Sequence, residues 1–370
     1  MAERLKVGVL FGGRSGEHEV SLVSAIAVLN SIDPQKYQVI EIGITRQGDW
    51  LVGQNVLDAL RSGQLEKLSS AGMLPIPSRP EIYRISAGNS GEVLEVVAEL
   101  DVAFPVLHGS FGEDGTMQGL FELVDIAYVG AGVLGSSVGM DKALFKQVMI
   151  ANEIPVVPSM LVLRSELEEI TGVLDRIAGF VDFPVFIKPA NMGSSVGVHK
   201  CRDIEDAAAG LLDAARYDRR IVVEKGINAR EIELSVLGND YPRVSIPGEI
   251  RPTAEFYSYQ AKYHDDSSEL LVPAPLDESV IAQLQHYALQ AYRAIDCAGM
   301  ARVDFLVDKE DGSIYLNELN TIPGFTPISM YPKLWEASGL PYADLIDELI
   351  ELALKRKQEK DNTLWRYEAQ

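Results

Sequence analysis

The stretch Lys6-Val7-Gly8-Val9-Leu10-Phe11-Gly12-Gly13-Arg14-Ser15-Gly16-Glu17-His18 joins an apolar run, Lys6 to Phe11, to a glycine-rich turn, Gly12 to His18. Such a run reads as a buried strand. Glu19 to Ser31 follows as a helix, with Leu22, Val23, Ile26 and Leu29 at helical spacing, and Tyr37 to Ile44 as a second strand. Strand, crossover helix and strand make a parallel unit. Val102 to Val106, a helix from Gly115 to Leu123, and Ala127 to Gly130 continue the alternation. Residues 1–139 are therefore expected to form an α/β unit with a doubly wound parallel sheet. Within it, residues 52 to 90 carry Pro75, Pro77 and Pro80 and read as a variable surface excursion.

The pattern changes at Met140. Asp141 reads as an N-cap for a helix to about Asn152, ended by Pro155 and Pro158. In the unit expected over 140–220, strands Val185 to Lys188 and Gly197 to Lys200 flank a Gly/Ser loop, and the Ala-rich stretch Ile204 to Arg216 forms a helix. Strand Ile221 to Glu224 leaves this unit. The last unit, 221–358, is expected to be α+β, with strands at Glu231 to Leu237, Arg302 to Val307 and Ser313 to Glu318 and a flexible acidic loop over 249–272. Residues 359–370 form a polar tail, and the chain from Lys355 onward is expected to be partly mobile.

With 33 basic and 54 acidic side chains the formal charge is −21, so the overall field repels nucleic acid and anionic membranes. A phosphate ligand must then meet locally placed lysines and arginines. Cys201 and Cys297 are too few for a disulfide framework and lack metal-site spacing, which fits a reducing cytoplasm. No segment approaches the roughly 20 apolar residues that cross a bilayer, and the run Val7 to Phe11 is too short for a signal-peptide core. Membrane insertion is not expected.

The most specific local signal is Arg302-Val303-Asp304, then Lys309-Glu310-Asp311-Gly312, then Asn317-Glu318-Leu319-Asn320. It reads as a hairpin. With Glu310-Asp311-Gly312 as a three-residue connection and Gly312 at positive φ, Asp304 faces Glu318 and Arg302 faces Asn320 on one side. Val303, Phe305 and Val307 then point to the core. Two neighbouring carboxylates repel unless a cation lies between them, and hard oxygen ligands suit Mg²⁺ bridging phosphates. The alternative is a salt-bridged solvent face. A second signal is Lys188-Pro189-Ala190-Asn191-Met192-Gly193-Ser194-Ser195-Val196-Gly197, whose successive N–H groups can form an anion nest. It lacks the ending of a P-loop. Lys142, at a helix start, can bring another ammonium there or be a surface lysine. In a third signal, Ile221 to Gly226, Glu224 and the later Glu231 can accept from ribose or the adenine amino group, or be solvated strand-end charges.

Taken together and in order, these residues resemble the ATP-grasp ligases and match the D-alanine:D-alanine ligase family over nearly the whole chain. The match includes Gly12 to Ser21, Pro105-Val106-Leu107-His108-Gly109, Gly112 to Gly119, Ala261-Lys262-Tyr263, and Pro323-Gly324-Phe325-Thr326 leading to Ser329. Pro327 stands where many relatives carry a small polar residue. The resemblance implies a two-part ATP-grasp fold after the first unit, with ATP between the second and third units. Lys142 and Lys188 would lie on its phosphates and Glu224, Lys225 and Glu231 around adenosine, with Ser195 and Lys262 also binding the nucleotide. Asp304, Glu318 and Asn320 would bind two Mg²⁺, with Mn²⁺ as a substitute.

The first D-alanine would place its ammonium near Glu19, and its carboxylate would become an acyl phosphate. The second would rest on Ser329 and groups beside Lys262, while Arg302 and the Gly324 backbone stabilise the oxyanion. Ser194 and Tyr263 would link Glu19 to the flexible loop. His108 would orient substrate or satisfy a core hydrogen bond. A homodimer serving peptidoglycan precursor synthesis in the cytoplasm is the family expectation. Rival readings are a D-alanine:D-lactate ligase, which Lys262-Tyr263 disfavours, a non-catalytic ATP-binding regulator, and another ATP-grasp enzyme such as a carboxylase.

Overall fold

The computed structural model describes residues 4–251 and 269–364. Its first sheet has eight strands: β1 (Leu5–Gly12), β2 (Tyr37–Ile44), β3 (Trp50–Val52), β4 (Ser69–Met73), β5 (Glu81–Gly88), β6 (Gly91–Glu99), β7 (Val102–Val106) and β8 (Ala127–Tyr128). Their order is β6-β5-β4-β3-β2-β1-β7-β8. The pairs β1–β2, β1–β7 and β7–β8 are parallel, as the βαβ pattern requires. β1 is central, and Val7, Val9, Leu10 and Phe11 are all buried, which accounts for its unbroken apolar run. The strands β3 to β6 are antiparallel. The stretch read as a surface excursion is thus largely a continuation of the sheet. Its strands are short or exposed, so neither apolar runs nor clean alternation mark them.

The second sheet consists of β9 (Ser159–Leu163), β10 (Val185–Pro189), β11 (His199–Cys201) and β12 (Arg220–Lys225), all antiparallel in the order β11-β10-β12-β9. β12 lies inside this sheet, so the strand expected to leave the second unit instead completes its core, where Ile221 and Val223 are buried with Val185, Ile187 and Val162. The third sheet holds β13 (Ala229–Leu237), β14 (Arg243–Val244), β15 (Gly248–Arg251), β16 (Glu269–Leu271), β17 (Met300–Asp308) and β18 (Ile314–Asn320). Its order is β16-β15-β13-β17-β18, with β14 beside β13. The helix Glu278–Ala294 covers it through Leu284, Ala288, Ala291 and Tyr292.

The chain then returns to the first sheet. Helix Tyr342–Lys360 buries Leu345, Ile346, Leu349, Ile350 and Ala353 in one core with Val7, Val9, Phe11 and Phe104. Burying each large aliphatic side chain contributes roughly 2 kcal/mol. The last turns are fastened as well. Arg356 donates to the Tyr128 carbonyl at 3.0 Å and stacks on that ring at 4.2 Å, while Lys357 lies 3.4 Å from Asp125. The segment from Lys355 to Lys360, read as partly mobile from its polarity, is therefore a docked helix whose lysines have acidic partners. No described helix is long and apolar enough to cross a membrane.

Candidate active site

The hairpin β17–β18 pairs Arg302 with Asn320 and Asp304 with Glu318, the facing expected from sequence. The connection differs. Asp308 N–H bonds the Ser313 carbonyl at 2.9 Å, which leaves four residues, Lys309 to Gly312, in the turn. This shifts the pairing by one, to Phe305 with Leu316, and a bulge at Asn317 restores the register before Glu318. Gly312 has the expected positive φ, 74°. Val303, Phe305 and Val307 are buried, so the polar side of the hairpin faces the cleft.

There the Arg302 guanidinium forks onto Asp304, Nε to Oδ1 at 2.8 Å and Nη2 to Oδ2 at 2.7 Å, and Nε lies 3.0 Å from Glu233 Oε2. Burial works against its charge, but Asp304 and Glu233 outweigh burial and push Arg302 well above the ordinary guanidinium range. Asn320 Nδ2 donates to Asp304 at 3.1 Å. Glu233 had no role in the sequence reading. The alternation in β13 marks it: Ile232, Leu234 and Val236 are buried in the core, so Glu231, Glu233 and Ser235 turn to the other face.

Across the cleft, Asp141 caps the helix Lys142–Ala151 by accepting from Leu144 N–H at 2.9 Å, as expected. It also accepts from Asn191 Nδ2 at 3.1 Å and pairs with Arg220. The stem of the Gly/Ser loop is thereby tied to the helix that carries Lys142. Lys142 Nζ donates to the Met192 carbonyl at 2.7 Å and lies 4.0 Å from Glu318. Ser194 and Ser195 are consecutive left-handed residues, φ 48° and 58°, a strained loop geometry for residues with side chains.

Lys188 donates to Glu224 at 2.7 Å, and Lys146 lies 3.2 Å from the other carboxylate oxygen. Burial alone would raise Glu224, yet the two lysines hold it down at about 2. Burial likewise opposes the charge of Lys188, and Glu224 reverses the balance in its favour. Lys146 escaped the sequence reading because it occupies the buried face of its helix with Ala143, Phe145 and Met149, where a hydrophobic residue is the default. Lys225, at the exposed end of β12, donates its backbone N–H to Pro158 at 3.0 Å.

The acidic residue at the first glycine turn must be corrected. The Glu19 side chain is 62% exposed and pairs with Arg46 at 2.5 Å. Glu17 is the buried one, receiving the Ser194 hydroxyl. Helical residues rotate by about 100° each, so a carboxylate two positions on points to nearly the opposite side. Gly109 and Gly193 flank Glu17, and a Cβ at Gly109 would come within 2.6 Å of its carboxylate. Ser194 therefore meets Glu17 and not Glu19. Lys262 and Tyr263 lie outside the described residues.

His108 makes core hydrogen bonds through both ring nitrogens. Nδ1 sits 3.0 Å from the Ile322 carbonyl and Nε2 3.0 Å from Ser24 Oγ, which in turn receives Phe325 N–H at 3.2 Å. With both ring nitrogens engaged, the imidazole ties the first sheet to the segment bearing Gly324 and Ser329. Burial pushes its pKa below the ordinary imidazole value, with Glu17 opposing. Ser329 Oγ receives Thr326 N–H at 3.1 Å and lies 2.7 Å from Thr326 Oγ1, and a Cβ at Gly324 would stand 3.0 Å from it. The glycine leaves that hydroxyl approachable.

Glu113 bridges the same two segments, accepting from Gly109 N–H at 2.8 Å and lying 3.4 Å from Ile322 N. Burial first, then Glu17, raises it to about 8. A carboxyl raised in the fold contributes stability that is complete below its ordinary value, 4.5, and is lost as pH rises through about 8. Glu113→Gln is accordingly expected to flatten the fall of the melting midpoint between about pH 5 and 9. An unchanged slope in the variant would count against the raised carboxyl.

Lys142 thus faces the two carboxylates and the amide of the hairpin, and a buried carboxylate, Glu17, lies against the Gly/Ser loop. A family model described as D-ala D-ala ligase N-terminus matches residues 6–131, and one described as D-ala D-ala ligase C-terminus matches residues 148–351. The D-alanine–D-alanine ligase of Heliobacterium modesticaldum is 49% identical over 96% of each chain, and that of Natranaerobius thermophilus 46% over 97% of each. Among solved structures, the D-alanine-D-alanine ligase of Coxiella burnetii superposes with a TM-score of 0.81 at 38% identity, covering 98% of this chain and 97% of its own. The VanG D-Ala:D-Ser ligase of Enterococcus faecalis gives 0.84 at 34% identity, covering 95% and 100%. With both halves matched in order and nearly the full length aligned, the chain belongs to the D-alanine–D-alanine ligase family.

Proposed function

We propose that this protein joins two D-alanine molecules into D-alanyl-D-alanine at the expense of ATP, through a D-alanyl phosphate, supplying peptidoglycan precursor synthesis. The observation that carries it is the cleft in which Arg302, Asp304, Glu318 and Asn320 meet Lys142 and, beyond it, Lys188. Lys142, Lys188 and the Ser194–Ser195 backbone bind the triphosphate, with Glu224, Lys225 and Glu231 around adenosine. Charge neutralisation and in-line placement supply most of the catalysis of phosphoryl transfer.

Among the described residues no three His, Cys, Asp or Glu side chains form a metal cluster. A set of two carboxylates and the Asn320 amide nonetheless fits a hard divalent ion that takes its remaining ligands from phosphate and water. We assign Asp304, Glu318 and Asn320 to two Mg²⁺, replaceable by Mn²⁺. The bound ions would neutralise charge on the transferred phosphoryl group. Arg302 and the Gly324 N–H stabilise the oxyanion when the second amine attacks, and Ser329 receives the second carboxylate. His108 and Glu113 position the segments that carry these groups.

Glu17 receives the ammonium of the first D-alanine. Glu17→Gln is expected to raise KM for the first D-alanine on the order of tenfold to a hundredfold by deleting a buried charge-assisted bond, while Glu19→Gln leaves the kinetics unchanged. The reverse ranking in steady-state assays would return the role to Glu19.

The test of the whole reading is ADP release with D-alanine alone, L-alanine, and D-alanine mixed with D-lactate or D-serine, with products identified by mass. Dipeptide from D-alanine alone is expected. Mixed depsipeptide as the main product at neutral pH would make this an ester-forming ligase, a D-alanyl-D-serine product would align it with the VanG type, and no ADP with any D-amino acid would make it a regulator. The free, buried thiols of Cys201 and Cys297 suit the reducing cytoplasm we infer. The homodimer is supported by the edge strand β6, where Val93, Leu94, Val96 and Val97 are exposed in the single chain.

A further inference from the structure

Lys146 has no part in the roles above, yet its side chain is 2% exposed and its ammonium is the most deeply buried charge of its helix. Its position on an apolar helix face would ordinarily hold a hydrophobic residue, since a buried ammonium is costly unless paired. Its partner is Glu224, which already serves Lys188 through Oε2 at 2.7 Å. The contact of Lys146 with Oε1, 3.2 Å, is an ion pair without hydrogen-bond alignment, and neither Lys146 Nζ nor Glu224 Oε1 has another hydrogen-bond partner among the described residues. One carboxylate is therefore shared between two ammonium groups, and the trio carries one uncancelled positive charge.

We propose that Lys146 is a positioning residue of the nucleotide site: by engaging one oxygen of Glu224 it keeps that carboxylate from fully neutralising Lys188, so that Lys188 retains charge for a phosphate. The inference rests on the ATP reading of the cleft. Without Lys146, Lys188 and Glu224 would form a neutral pair in surroundings where Glu231 and Glu318 also act on Lys188. Burial draws Lys146 below the ordinary ammonium range while Glu224 opposes, so its charge depends on the carboxylate it holds. At an effective dielectric of about 20 to 40, one charge some 5 to 6 Å away changes the affinity of an anionic ligand by roughly tenfold to two hundredfold.

The experiment is calorimetric titration of ATP and of adenosine into the full-length native protein, Lys146→Met and Lys146→Arg. A native protein that binds neither ligand would remove the nucleotide reading itself, independently of Lys146. Lys146→Met is expected to weaken ATP by about tenfold to a hundredfold and adenosine by less than about threefold. Lys146→Arg, which keeps a cation beside Glu224, is expected to retain most of the native preference for ATP over adenosine. Equal weakening of both ligands, unchanged ATP affinity in Lys146→Met, or an arginine variant with no more preference for ATP than Lys146→Met would overturn the proposal. If Lys146→Met does not fold because Glu224 is left short of a partner, Lys146→Gln, which offers that carboxylate a neutral hydrogen bond, takes its place: a fallen ATP-to-adenosine ratio supports the proposal and a native one refutes it.

Discussion

Arg302→Met is expected to lose both turnover and stability, and no other single change should do as much damage to the two together. The guanidinium compensates two carboxylates at once, Asp304 through a two-bond fork and Glu233 through Nε, in a position where only 16% of its side chain is exposed. Removing one partner of such a buried network leaves the others as uncompensated charges, at a cost of about 3–5 kcal/mol. Loss of a preorganised oxyanion donor lowers kcat by about 10²–10³ on top of this. Arg302→Lys separates the effects. A lysine keeps the charge but cannot reproduce the planar fork, so it should recover more of the stability than of the turnover. Urea unfolding and steady-state kinetics on both variants check this. Native-like stability in Arg302→Met would mean that Asp304 and Glu233 do not depend on the guanidinium.

Glu318→Gln is expected to fold normally and fail in a different way. Its carboxylate faces Asp304 across the hairpin, 26% exposed toward the cleft, with the Lys142 ammonium 4.0 Å away. Glutamine preserves shape and removes one negative charge from the proposed metal set. Turnover should fall by about 10²–10³ at fixed Mg²⁺, and the Mg²⁺ concentration for half-maximal rate should rise at least about tenfold. A variant that turns over at nearly the native rate under limiting Mg²⁺ would remove Glu318 from the metal assignment. Because Glu318 is more exposed than Arg302 and ties no second carboxylate, its melting midpoint should stay within a few degrees of native, which separates a catalytic from a folding defect.

What could be read from the chain follows the strength of its periodicity. β2 and β7 run from Tyr37 to Ile44 and from Val102 to Val106, the limits the apolar pattern suggested; β7 is a fully buried, uninterrupted apolar run, whereas β2 keeps a mainly apolar pattern despite Gln38 and Glu41. The hairpin carrying Arg302 and Asp304 was legible for a similar reason: alternation fixes which side chains share a face. Its turn was not, since a longer connection and a compensating bulge at Asn317 produce the same facing at the catalytic end. Naming Glu19 without Glu17 overlooked helix phase: Glu17 is buried under Ser194, whereas Glu19 is exposed beside Arg46. Sequence places both acids at a helix start, and only the exact entry angle decides which points inward. Lys146 shows a further limit, because periodicity identifies a buried face without naming what a charge on it meets. The helix Tyr342–Lys360 was missed although Leu345, Ile346, Leu349, Ile350 and Ala353 keep helical spacing, because the many charges around that stripe masked it.

That helix also decides which parts of the molecule travel together. Through it the first sheet shares one core with Leu237, Met300, Phe325 and Trp335 of the last unit, whereas the four-stranded sheet has a core of its own confined to residues 162–223. The first and last units are therefore one packed body, and the four-stranded sheet meets it through a small apolar cluster, Ala143 with Ala190 and Val222, and through polar contacts such as Ser194 on Glu17. A displacement of that sheet from the body would carry the Gly/Ser loop with it and part Ser194 from Glu17.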